Sequence, residues 1–348
     1  MTNSEATPSQ VRVTSFCQYP TKDAEQVYPL VRGELGAPNL GVLVQLPDRG
    51  VWSQPIGRSA SMLADMGFDL QPHGWRVGVS DGIDARRARA TLRSDENLLA
   101  DILGAETKVT DELKVSMLGT WSLCAELSLG NGEKTISDHG ARRDIRQAYA
   151  HGVQEHLGRL ARATGITKFT VQLDEPVLDQ VLDGRVPTAS GYRTIRSIPR
   201  SEVREGYTQF LEVITERYDV RVIANLRAED PQLTERIELL EQAGAHGFVM
   251  NSRTMNYSQW EKVAALVEKG SGIFLQALAP TGRHPGVVEG VKQLLRPWHQ
   301  LGLSDRDLGA LTLMPIGDFA GSSATDAQRC LERLNEWAVA LEQTRVDA

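Results

Sequence analysis

Short runs of β-branched and other apolar residues recur along the chain, at 11–16, 41–46, 113–118, 168–173, 220–224, 247–250, 272–276 and 310–314. Most are continuous rather than alternating, the pattern of strands covered on both faces in a parallel sheet. Segments with helical spacing lie between them. Asp138 is placed to cap a helix whose apolar stripe is Ile145, Tyr149, Val153, Leu157 and Leu160. Ala327, Leu331, Leu334, Trp337, Ala338 and Leu341 form a second such stripe near the end. Further helices are expected over 21–35, 84–103, 201–217, 231–243, 258–269 and 286–301.

About eight strands alternating with helices imply an α/β chain, either a (β/α)8 TIM barrel or an open doubly wound sheet. Periodicity alone does not separate the two. An open nucleotide-binding sheet would carry Gly-x-Gly-x-x-Gly after its first strand. Here Cys17-Gln18-Tyr19-Pro20 follows, with no glycine, and no Gly-x-x-x-x-Gly-Lys-Ser/Thr occurs. The expected architecture is therefore one barrel domain over 11–345, with a flexible tail at 1–10. A ninth β-rich run, 73–80, is assigned to an excursion beside the barrel.

Composition narrows the function classes. With 41% hydrophobic and 24% charged residues the chain is an ordinary globular one. A net charge of −7 makes a nucleic-acid partner unexpected. No apolar run approaches the roughly 20 residues that span a bilayer, so no membrane association is expected. Three cysteines, an odd number, suggest reduced thiols and a cytoplasmic location. The run Arg86-Arg87-x-Arg89 shares its helix with Asp84, Asp95 and Glu96 and reads as a solvated face.

The most informative stretch is Val171-Gln172-Leu173-Asp174-Glu175-Pro176, where an apolar strand ends in two carboxylates and a proline. In a barrel those acids stand on the rim where active sites are built. This strand resembles the Gln-hydrophobic-Asp-Glu-Pro strand of the cobalamin-independent methionine synthase family, within the uroporphyrinogen decarboxylase-like barrels. Other segments agree in order: Pro20, Gly33-Glu34-Leu35 and Ile56-Gly57-Arg58, as in short actinobacterial-type members; Gly119-Thr120-Trp121-Ser122, with Asn131-Gly132 and Asp138 beyond; and Met314-Pro315-Ile316-Gly317-Asp318-Phe319-Ala320-Gly321, like the family's closing loop.

The resemblance, over roughly 11–340, implies transfer of a methyl group from a methyltetrahydrofolate to homocysteine, whose thiol is held as thiolate by zinc. It gives Asp174 the substrate's amino group and makes Glu175, Gln18 and Ser122 further substrate-binding candidates. The metal positions, however, are degenerate. The family's His-x-Cys falls on Ile223 and Asn225, its acid on Asn251, and its closing-loop cysteine on Gly317. Zinc takes thiolate, imidazole or carboxylate ligands, so no bound metal and no other cofactor is expected. Cys17 and Cys124, with His246 and His284 near later strand ends, are the remaining candidates for a rebuilt site, although none has ligand spacing.

Three functions follow. One is a divergent methyltransferase-like barrel that binds a small amino-acid or folate-like ligand, with weak or no methyl transfer. Another is a non-catalytic regulatory barrel that partners a full-length synthase. The third is acid–base chemistry by Asp174, Glu175 and Asp318.

Overall fold

The computed structural model describes residues 10–106 and 110–348; most of the tail expected at 1–10 lies outside them. Eight parallel strands form one curled sheet: β1 (Arg12–Val13), β2 (Gly41–Val42), β5 (Glu112–Leu118), β6 (Lys168–Glu175), β7 (Asp219–Leu226), β8 (Gly247–Asn251), β9 (Gly272–Leu278) and β10 (Leu311–Pro315). Their order is β1-β10-β9-β8-β7-β6-β5-β2. Past their regular ends the two edge strands meet. Leu40 N donates to Val13 O at 3.0 Å, Gln45 N to Cys17 O at 2.7 Å and Tyr19 N to Gln45 O at 3.0 Å, which closes the circle. The chain is a TIM-barrel-like single domain, and the eight expected strands are those observed.

The first two strands are shorter than their apolar runs because the closure is irregular, carried by a few backbone bonds rather than by a continuous ladder. The excursion is an antiparallel hairpin, β3 (Gly67–Gln71) with β4 (Gly74–Gly78). It is pinned by Arg89, which donates to the carbonyls of Ser61, Leu63 and Met66 and lies 5.2 Å from the Phe68 ring centroid. Arg86 and Arg87 are solvated as expected; Arg89 is not, because its guanidinium replaces water for three turn carbonyls.

The helices are α1 (Ala24–Glu34), α2 (Pro55–Ala60), α3 (Ile83–Gly104), α4 (Thr120–Glu126), α5 (His139–Thr164), α6 (Leu178–Asp183), α7 (Arg200–Thr215), α8 (Leu233–Gln242), α9 (Tyr257–Glu268), α10 (Val287–Gln300) and α11 (Ala324–Asp347). Asp138 caps α5, accepting from Ala141 N at 2.8 Å. The main core lies between sheet and helices, and includes the α5 and α11 stripes. A second, smaller cluster fills the barrel interior: Phe16, Leu40, Ile223, Val249, Phe274 and Met314. Among the described residues no helix is long and apolar enough to cross a membrane.

Candidate active site at the barrel mouth

Side chains alternate across a strand, so the end of β6 sends its two acids to opposite sides. Asp174 faces the barrel mouth and is half-buried. Gln172, two residues earlier on the same face, donates Nε2 to Asp174 Oδ1 at 2.7 Å; Asn225, its register partner on β7, donates Nδ2 to that same oxygen at 2.7 Å. None of the described residues donates to Oδ2. Gln172 is fully buried, and its Oε1 has no hydrogen-bond partner among the described residues. Asp174 Oδ2 and Gln172 Oε1 thus have no donor among the described residues.

Beneath them lies Lys114, wholly buried on β5, donating to Ser15 O at 2.7 Å with Nζ 5.6 Å from the Phe16 ring centroid. Burial pushes the Asp174 carboxyl above its ordinary value; the Asn225 and Gln172 amides and the Lys114 charge pull against that. Burial lowers the Lys114 ammonium, opposed by Cys17 and Asp174. Cys17 donates Sγ–H to Ser116 Oγ at 3.1 Å, and its thiol is raised by burial despite Lys114.

Glu175 points the other way, into the wall. It is 1% exposed and accepts from Trp121 N at 3.1 Å, Ser122 N at 2.8 Å, Ser122 Oγ at 2.6 Å and the Tyr207 hydroxyl. The carboxylate sits on the first turn of α4, where free N–H groups and the helix dipole favour an anion. Gly119 is needed for this approach, since a Cβ there would lie 2.2 Å from Glu175 Oε1. Glu175 and Ser122, expected to bind substrate, are both buried and hydrogen-bonded to each other.

The remaining candidates scatter. Gln18 is half-buried, and its carbonyl accepts from Phe319 N at 3.1 Å, tying the closing loop to the end of the first strand. Ile223 is 2% exposed inside the apolar cluster. Asn251 Oδ1 accepts from Arg253 N at 3.1 Å. Gly317 adopts φ +79°, a left-handed conformation that glycine takes without strain. Cys124 packs in the wall, 3.8 Å from Arg142 O, with burial raising its thiol to about 12. His246 lies at the opposite end of the barrel, where its Nδ1 accepts from Val222 N at 3.0 Å, and His284 bonds Ala279 O at 3.1 Å.

These positions do not fit zinc. An apolar side chain, two amides engaged in hydrogen bonds and a bare glycine supply no anionic or imidazole donor. Among the described residues no three His, Cys, Asp or Glu side chains converge as a metal would require. What the mouth offers is the Asp174 carboxylate, with the Asp318 charge near enough to act on it, neutral amides and an apolar floor. Sequence reasoning overlooked Gln172 and Lys114, although polar residues inside apolar strands were a usable signal.

No protein-family model matches the chain, and no curated protein matches it. Among solved structures it is similar to a methyltransferase from Methanosarcina mazei, at 12% identity with a TM-score of 0.54, covering 96% of this chain and 94% of that one. It also matches a Cellulomonas fimi endo-beta-1,4-mannanase double mutant, at 11% identity and a TM-score of 0.42, covering 73% of this chain and 58% of that one. At such identities the likeness to the methyltransferase is one of fold, and the mannanase adds nothing to it.

Proposed function

We propose that this barrel is a divergent relative of cobalamin-independent methionine synthase that binds a small amine-bearing ligand, of amino-acid or folate-like type, with little or no methyl transfer to a thiol. The observation that carries the reading is the clamp on Asp174: two amides fix one carboxylate oxygen and the other is left open at the mouth. An ammonium group there would gain a charge-assisted hydrogen bond with an acceptor already held in place. Thiol activation is the part the residues do not support. A free thiol of pKa about 8.5 is only a few per cent ionised at neutral pH, and no side chain at the mouth is suited to holding it as thiolate through a metal.

Incubation with homocysteine and methyltetrahydrofolate, reading methionine, tests the transfer; calorimetric titration with amino acids tests the binding. The expected result is saturable amino-acid binding that Asp174→Asn abolishes, with methionine formation at or near background. Robust turnover that survives a chelator would overturn the account of the thiol, and absence of any amino-acid binding would overturn the account of the mouth. The same lack of metal donors favours a second reading, a regulatory barrel that partners a full-length synthase; a pull-down from native cytosol distinguishes it.

A further inference from the structure

The six residues of the interior cluster are not equally deep. Leu40, Ile223 and Met314 are 0–2% exposed, whereas Phe16, Val249 and Phe274 retain 8%, 6% and 5%. The latter three are the members of the cluster that retain accessible surface. Val249 is in register with Asn225 on one side and with Phe274 on the other, so this apolar surface begins beside the amide that clamps Asp174. Ile223, two residues before Asn225 on the same inward face, extends it downward.

The two open acceptors, Asp174 Oδ2 and the buried Gln172 Oε1, call for a group that donates at least two hydrogen bonds. A primary ammonium does so. Next to it the ligand meets the hydrocarbon of Phe16, Val249 and Phe274; the Lys114 ammonium, 5.6 Å from the Phe16 ring centroid, is engaged by Ser15 O.

Resting on the amine reading above, the geometry points to a finer substrate class: a primary amine whose side chain is apolar, seated on Phe16, Val249 and Phe274, with its ammonium between Asp174 and Gln172. The site selects hydrocarbon where a thiol would otherwise be directed to a metal. A hydroxyl placed on this floor loses its water without gaining a partner, whereas a methyl group gains burial. A neutral thiol is tolerated as a weakly polar group and requires no metal.

Norvaline, homoserine and homocysteine test this directly, because their side chains match in length and differ only in the terminal CH3, OH or SH. Calorimetry under reducing conditions should give norvaline an affinity about tenfold or more above homoserine. Homocysteine should fall between them, and adding zinc should leave its affinity unchanged. Val249→Thr, which keeps the side-chain shape and adds a hydroxyl, should weaken norvaline several-fold and leave homoserine within about twofold. A thermal melt of that variant checks that the barrel still folds, and Asp174→Asn should remove binding of all three. Homoserine binding as tightly as norvaline, or homocysteine binding only with zinc, overturns the apolar-chain inference while leaving the amine reading intact. Binding of none of the three overturns the amine reading, and this inference with it.

Discussion

Asp174 and Glu175 are neighbours in sequence, yet they belong to two regions built on opposite principles. On the wall side, four donors from α4 and α7 converge on Glu175, and the carboxylate joins β6 to both helices. On the mouth side, two donors share one oxygen of Asp174 and the other oxygen is left open. A fully satisfied buried acid fixes structure, and a half-satisfied one is available to a ligand. The difference shows that a rim carboxylate is functional by virtue of what leaves it unfinished, and proximity to the strand end is not sufficient.

The largest effect is expected from Glu175→Gln. An amide nitrogen cannot accept, so at least one backbone N–H at the start of α4 loses its partner, and the variant should be destabilised by on the order of 3 kcal/mol in chemical denaturation. Ser122→Ala removes a hydroxyl that donates to Glu175 and also accepts from Val177 N. It should cost about 2 kcal/mol by the same assay, and the two variants combined should cost less than their sum, because they break one network.

Asp174→Asn is expected to give the smallest effect, with the opposite sign. Because burial raises its folded pKa, ionising Asp174 weighs against the fold: its stabilising contribution is complete below the unfolded value and is lost as pH rises through the folded one. The asparagine variant, whose carbonyl can still accept from Gln172 and Asn225, should therefore be more stable than wild type at neutral pH, by about 1 kcal/mol or less. That advantage should shrink as pH falls toward the ordinary carboxyl range. Equal pH dependence in the two proteins would remove the contrast between mouth and wall.

Much of this was readable beforehand. Continuous apolar runs gave the eight strands, and Asp138 capped the helix it was expected to cap. The period of two along β6 also contained the split between Asp174 and Glu175, and it put Gln172 on the mouth side. Reading both acids as rim residues passed over that alternation. The tie between Glu175 and Tyr207 was not legible, because it joins elements 32 residues apart through a helix packing that no local pattern encodes. Closure of the barrel was hidden for a related reason, since its bonds from Leu40 and Gln45 are isolated and leave no run of strand residues. That Ile223, Asn225, Asn251 and Gly317 offer no anionic or imidazole donor was legible directly from residue type. That Ile223 joins an interior apolar cluster became visible only once β7, β8 and β9 stood side by side.

All three cysteines are buried in the main core, each at a different place: Cys17 beside Ser116 of β5, Cys124 on α4 near the Arg142 carbonyl, and Cys330 on α11 near the carbonyls of Leu278 and Ala279. The folded chain therefore carries a built-in set of clocks. An alkylating reagent reaches each sulfur only when its own surroundings open. The order in which the three become labelled would report which part of that core opens first.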